Sequence, residues 1–164
     1  GAFAAARVHL DRALAIRETT LGLEHIGVVD ALIGLALWWD RQGRCDQALP
    51  LLRRGQLALH RQLPADHLYN LHLDGYLARC SPVDDPTRLA DLERAVAGLR
   101  DRGPPRERAE LGLDLADALV VRGELTRARS LASEAADLVA TTGHGHAPER
   151  ERAARWLAAH PATP

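Results

Sequence analysis

The sequence predicts an all-α fold built from antiparallel helix pairs stacked side by side, about eight helices in one domain of 164 residues. Three observations predict it. First, hydrophobic residues make up 46% but aromatic residues only 4%, so Ala and Leu carry the apolar content, alongside helix-favouring Arg and Glu. Second, the apolar positions recur with a helical period between short breakers. Third, the pattern repeats. Leu-Ala pairs stand at Leu35-Ala36, Leu77-Ala78, Leu115-Ala116 and Leu157-Ala158, at spacings of 42, 38 and 42.

The elements follow in order. Helical stretches are expected over 3–20, 28–42, 45–62, 68–80, 87–101, 106–122, 125–140 and 148–159. Gly43 and Gly123 read as residues that end one helix in the left-handed conformation before the next begins. Cys45 and Leu125 follow those glycines by two residues, as Phe3 follows Gly1; Ala6, Ala48 and Ala128 come three residues further on. A small residue recurs at Ala13, Gly55 and Ala135. The other loops also align: Leu21-Gly22-Leu23-Glu24-His25 with Leu63-Pro64-Ala65-Asp66-His67, 42 residues apart. Asp85-Pro86 reads as a helix cap followed by Pro in the first turn. The boundaries are a half repeat at 1–24, a repeat at 25–63, a degenerate repeat at 64–103, a repeat at 104–142 and a C-terminal capping helix at 147–160. The degenerate repeat replaces the glycine turn by Ser81-Pro82-Val83-Asp84-Asp85-Pro86, and Arg88 stands where Ala48 and Ala128 stand. A locally altered helix angle is expected there.

Composition excludes several classes. The 21 basic residues are all Arg and face 22 acidic ones, a formal net charge of −1, which does not suit a general nucleic-acid binder. No apolar run approaches the roughly 18 residues that cross a bilayer. No signal peptide is visible, and a cytoplasmic location is expected. The absent initiator Met and the start inside a helix point to a segment of a longer protein.

Candidate chemistry is sparse. Cys45 and Cys80 occupy repeat positions that are apolar elsewhere (Phe3 and Leu125; Trp38 and Ala118), so both are expected as buried structural thiols. His25 and His67 sit in equivalent loops and are expected to cap or brace them. His67 and His72 are five apart, off a common helical face, and His144-Gly145-His146 lacks a third ligand, so no metal is expected. Ser occurs only at Ser81, Ser130 and Ser133, with no nucleophile elbow, phosphate loop or dinucleotide fingerprint around them. Arg53-Arg54 and the alternating Arg and Glu of 149–155 read as solvated helix faces. Trp39 reads as packing between the paired helices, and Trp38, facing differently, as packing against the next helix or lining a surface. Neither a cofactor nor a small-molecule substrate is expected.

The stretch Leu35-Ala36-x-x-Trp39-x-x-x-Gly43-x-Cys45-x-x-Ala48-x-x-x-Leu52-x-x-Gly55 resembles the tetratricopeptide repeat. So does Leu115-Ala116-x-x-Leu119-x-x-x-Gly123-x-Leu125-x-x-Ala128-x-x-x-Ala132-x-x-Ala135. The 42-residue spacing, with Ala13-Leu14-Ala15-Ile16-Arg17-Glu18 before Leu21-Gly22-x-x-His25, resembles the long-loop variety of kinesin light chain and of many bacterial signalling proteins.

The resemblance implies a right-handed α-α superhelix whose first helices line a concave groove that binds a partner peptide or helix without catalysis. It places partner-facing residues at Asp30, Ile33, Leu37, Asp40 and Arg41, at His72, Gly75 and Arg79, and at Glu110, Leu113 and Asp117. The paired Asn that such repeats carry before the Leu-Ala step is replaced by Ile33-Gly34 and Gly75-Tyr76, so no carboxamide peptide clamp is carried over. The partner is a protein or peptide, with no nucleic acid and no membrane insertion. The alternative is a C-terminal regulatory or docking segment of a larger bacterial signalling enzyme, such as a serine/threonine kinase or an NTPase.

Overall fold

The structure, a computed structural model, describes residues 2–140 and 146–161, with side chains from Ala5 onward. The Phe3 side chain, the His144-Gly145 loop and the Thr163-Pro164 end lie outside the described residues. Eight helices and no strand occur among them: α1 (Ala2–Leu21), α2 (Ile26–Asp40), α3 (Cys45–His60), α4 (Leu68–Cys80), α5 (Arg88–Leu99), α6 (Pro105–Val121), α7 (Leu125–Ala140) and α8 (Ala147–Ala159). The fold is an all-α helical repeat, with helix bounds close to those read from the sequence.

The helix ends have local causes. Gly43 and Gly123 have φ of +69° and +79°, a region that costs a side-chain-bearing residue strain, and each closes a tight link to the next helix. The two equivalent histidines act alike. His25 Nδ1 accepts from the Gly27 N–H at 3.0 Å, and His67 Nδ1 from the Tyr69 N–H at 3.3 Å, so each caps the helix that follows. The Asp85 carboxylate accepts from the Thr87 N–H at 2.8 Å and from its hydroxyl at 2.9 Å, which organises the turn before α5 rather than capping the helix itself.

The residues divide into two compact units, Gly1–Pro82 and Val83–Pro164, and the division falls inside the turn that departs from the repeat. In the first unit α2 packs on α1 and α3, and α3 packs on α4. Its core joins Val29 and Ala36 of α2, Ala48, Leu52 and Leu59 of α3, and Leu73 and Tyr76 of α4. In the second unit α6 packs on α5 and α7, and α8 packs on α7 and touches α6. Leu92, Ala95, Leu111, Leu119, Ala132 and Val139 are its fully buried centre.

Small residues set how closely these helices approach. Ala48 and Ala128 are both 0% exposed, as the repeat register requires. A methyl on Gly55 would stand 3.2 Å from Cγ1 of Val29 and 3.6 Å from Cδ2 of Leu73, so this position of α3 serves two neighbours at once. Interiors at this density tolerate added volume poorly.

Ala48→Leu is therefore expected to cost about 1–3 kcal/mol. Arg53→Gln, on the exposed side of the same helix, is expected to change stability by less than about 0.5 kcal/mol. Urea unfolding of both variants beside the parent checks the register; equal effects would refute it.

Candidate functional site

The partner-facing positions read from the sequence fall into two clusters, one in each unit. In the first unit, α2 exposes Asp30 and Arg41 and leaves Ile33, Leu37 and Asp40 half-buried. Their spacing puts Asp30, Ile33, Leu37 and Arg41 along one face of the helix. On α4, His72 and Arg79 are half-buried, whereas Gly75 is buried. The structure brings Asp40 and Arg79 together: Nη1 of Arg79 donates to Oδ2 of Asp40 at 3.1 Å, both side chains being mostly buried. The Arg79 guanidinium also lies 5.4 Å from the centre of the Tyr76 ring. Beside this row, Trp38 and Trp39 pack edge to face with centres 4.8 Å apart, and Arg7 of α1 covers the Trp39 ring at 4.6 Å. Both tryptophans are half-buried.

Cys45 and Cys80 depart from expectation. They are not separate packed thiols but a disulfide, with Cα atoms 5.1 Å apart, inside the bridging range. Comparing equivalent positions within repeats hides this pairing. The relevant neighbours are the first residue of one second helix and the last residue of the following first helix, 35 residues on. Oδ1 of Asp40 lies 3.7 Å from each sulfur. Asp40, Cys45 and Cys80 thus bring three ligand-type atoms within 4.8 Å of one another. With the two sulfurs bonded to each other, this trio has no thiolate pair to offer a metal.

Two other buried polar residues tie the first unit together. Asn70, the single Asn of the chain, is fully buried, and its Nδ2 donates to the Pro64 carbonyl at 2.8 Å. Asp74 accepts from Nε2 of Gln56 on α3 at 2.7 Å. Both act as braces between a helix and what precedes it.

In the second unit α8 occupies the corresponding face of α6. Nε1 of Trp156 donates to Oδ1 of Asp117 at 2.6 Å, and Nη2 of Arg152 bridges Asp114 at 2.7 Å and Asp117 at 3.0 Å. Trp156 is 7% exposed and stacks on His160 with ring centres 4.2 Å apart. Nε of Arg106 spans Glu110 at 3.1 Å and the buried Glu149 at 2.8 Å. Of the three positions read from the sequence, Glu110 and Asp117 are engaged in these contacts, and Leu113 is 0% exposed and packs in the interior of the unit. Arg152 and Glu149 were read only as polar surface of a cap. The signal that could have found them is spacing. Asp40 to Arg79, Asp117 to Trp156 and Asp114 to Arg152 are 39, 39 and 38 residues apart, about one helical turn short of the 42-residue repeat.

A hollow of about 370 Å³ lies between α5 and α7 over Leu115 of α6. Val96, Ala97 and Leu131 contribute its apolar wall. Arg127 to Glu93, at 2.7 Å, and Arg100 to Glu134, at 3.7 Å, span it from α7 to α5. Such exposed pairs hold weakly.

Two outcomes follow for α8. Trp156→Ala is expected to cost about 3 kcal/mol and to raise binding of an apolar dye, read by urea unfolding and fluorescence. Burial alone would push the Glu149 carboxyl up, but its own backbone N–H, its hydrogen bond with Glu110 and the Arg106 guanidinium together hold it below the usual range. A folded-state pKa below the unfolded value stabilises the fold above about pH 4.3, and that share is lost as pH falls through the folded value. Glu149→Gln is therefore expected to cost about 1 kcal/mol at pH 7 and progressively less as the pH falls below about 4.3, measured by unfolding across that range.

The comparisons with known proteins agree with this architecture. Residues 1–27 match the sequence pattern described as Tetratricopeptide repeat. No curated protein matches the chain. Among solved structures, the chain is similar to the nearly identical TPR-like repeats of a putative kinesin light chain from Podosopora anserina, at TM-score 0.63 and 23% identity over 96% of this chain and 78% of that one. A singly substituted form of that protein gives TM-score 0.64 with the same identity and coverage. Residues 1–27 thus match the tetratricopeptide-repeat pattern, and the chain shares the all-helical repeat fold of these solved structures.

Proposed function

We propose that the chain is a protein-interaction module that receives a partner peptide or helix on the first-helix face of its first unit, and acts by binding rather than by catalysis. One observation carries the reading. The α2 face sets the half-buried Ile33 and Leu37 between the exposed Asp30 and Arg41, an apolar strip with an opposite charge at each end. An amphipathic helix or an extended peptide offers the matching pattern: apolar anchors flanked by polar groups. The α4 residues His72 and Arg79 extend the surface. In the second unit the acidic residues Asp114 and Asp117 of α6 are already engaged by α8, so that unit contributes support more than recognition.

The finer reading is that this module docks or regulates an enzyme in a bacterial signalling protein such as a serine/threonine kinase or an NTPase. It rests on the long-loop 42-residue spacing and needs the same face. The coding sequence adjoining this segment tests it directly.

The binding reading is tested by selecting ligands for the chain from a displayed random-peptide library. Enriched peptides are expected to carry spaced apolar anchors. Leu37→Glu is expected to weaken them at least tenfold, about 1.4 kcal/mol, with an unchanged far-ultraviolet dichroism spectrum. No enrichment, or enriched peptides indifferent to substitutions on α2 and α4, would refute the proposed face.

A further inference from the structure

We propose that Cys45–Cys80 is a reversible thiol–disulfide site that controls how the ends of α2, α3 and α4 are held, and with them the Asp40–Arg79 pair. This stands independently of any partner. Three helix ends meet at the site: Asp40 closes α2, Cys45 opens α3, and Arg79 and Cys80 close α4. The bond joins α3 to α4, and one carboxylate oxygen of Asp40 faces both sulfurs at 3.7 Å while the other receives Arg79 at 3.1 Å.

The two sulfurs differ in access. Cys45 is half-buried, whereas Cys80 is 7% exposed, so an incoming thiolate reaches the Cys45 sulfur. The reductant required is a dithiol. Its thiolate attacks Sγ of Cys45, the Cys45–Cys80 bond breaks, and Cys80 leaves as a thiolate that takes a proton. The second thiol of the reductant, as thiolate, then attacks the mixed disulfide and expels Cys45 as a thiolate, which also takes a proton. The protein pair gains two electrons and two protons, and the dithiol becomes a cyclic disulfide. Position tunes both thiols. Cys45, as the first residue of α3, sits at the positive end of the helix dipole, which favours its thiolate. The Asp40 carboxylate opposes both thiolates and accepts S–H hydrogens once they exist.

The oxidised and reduced forms therefore differ at Asp40. Oxidised, the sulfurs have no hydrogen to donate, α3 and α4 are joined, and Asp40 holds Arg79. Reduced, Asp40 is shared between Arg79 and two S–H donors, and the helix ends are no longer joined.

The test uses the whole chain. It is equilibrated in dithiothreitol of increasing concentration, then alkylated, with far-ultraviolet dichroism and amide hydrogen exchange followed in parallel. The expected result is a bond that opens and reforms with the dichroism unchanged. In the reduced chain Cys45 is expected to alkylate about tenfold faster than Cys80, and amides of 40–47 and 76–81 to exchange several-fold faster than in the oxidised chain. Asp40→Asn is expected to speed alkylation of the reduced chain about tenfold, the result of lowering a thiol pKa by one unit. A purely structural bridge would not show this dependence on the carboxylate. Cys45→Ser is expected to reproduce the reduced exchange pattern with or without dithiothreitol. Free thiols in the air-oxidised chain, loss of helical signal on reduction, or exchange and alkylation indifferent to reduction and to Asp40→Asn would each overturn the proposal.

Discussion

The close approach of helices at small side chains is the constraint on which the rest of this structure depends. The helix α3 touches both α2 and α4, and α7 touches both α6 and α8, so each has little room for a side chain where they converge. Ala48 and Gly55 on α3, and Ala128 and Ala135 on α7, meet that requirement. Apolar burial then follows from neighbours rather than from any one helix pair, which is the general economy of repeat proteins. Leu52 and Leu59 on α3 and Leu73 on α4 reach full burial because the backbones come near enough for them to interlock with one another and with Val29 and Ala36 of α2.

Polar groups add register to that packing. A long side chain on a first helix meets its counterpart on the next first helix at a separation of 38 or 39 residues. Arg79 on Asp40, Arg152 on Asp114 and Asp117, and Trp156 on Asp117 are the same geometric event in two parts of the chain. The energetics differ with burial. Asp114 is 5% exposed and Asp40 is half-buried, so removing their arginines would leave a carboxylate short of a partner in poorly hydrated surroundings. The exposed pairs between α5 and α7 carry no such penalty.

Much of this was legible in the residues. The glycines at 43 and 123 require a backbone conformation that few other residues accept, so they marked the helix ends to within three residues. The paired histidines at 25 and 67 announced a shared loop device because equivalent loops recur. What escaped reading was contact between repeats. Aligning Cys45 with Leu125, and Cys80 with Trp38, correctly marks sites that face neighbours, but it compares each residue with its equivalents and not with what it touches. The disulfide lies across that blind direction. Leu113 was misplaced for a related reason. A helix that touches neighbours on several sides has no free face that periodicity alone can locate, and α6 is packed against α5, α7 and α8.

The two units consequently use one backbone plan for different ends. In both, the first helix offers acidic residues, Asp30 and Asp40 on α2 and Glu110, Asp114 and Asp117 on α6, and what answers them decides the chemistry of the face. Around α6 the answer comes from α8, whose Arg152 and Trp156 satisfy Asp114 and Asp117 and whose Ala153 fills the space between. Recognition of anything further there would first require displacing a buried aromatic and a charge-assisted hydrogen-bond network, each worth more than a surface contact typically returns. Around α2 only Asp40 is answered, by Arg79, and Asp30 and Arg41 remain exposed on either side of Ile33 and Leu37. On the proposed reading, a repeat scaffold acquires a binding face by leaving one first helix incompletely answered. The same condition explains why the disulfide at the end of that helix, and not the packing in the middle of it, is the place where a chemical change could reach the surface without disturbing the core.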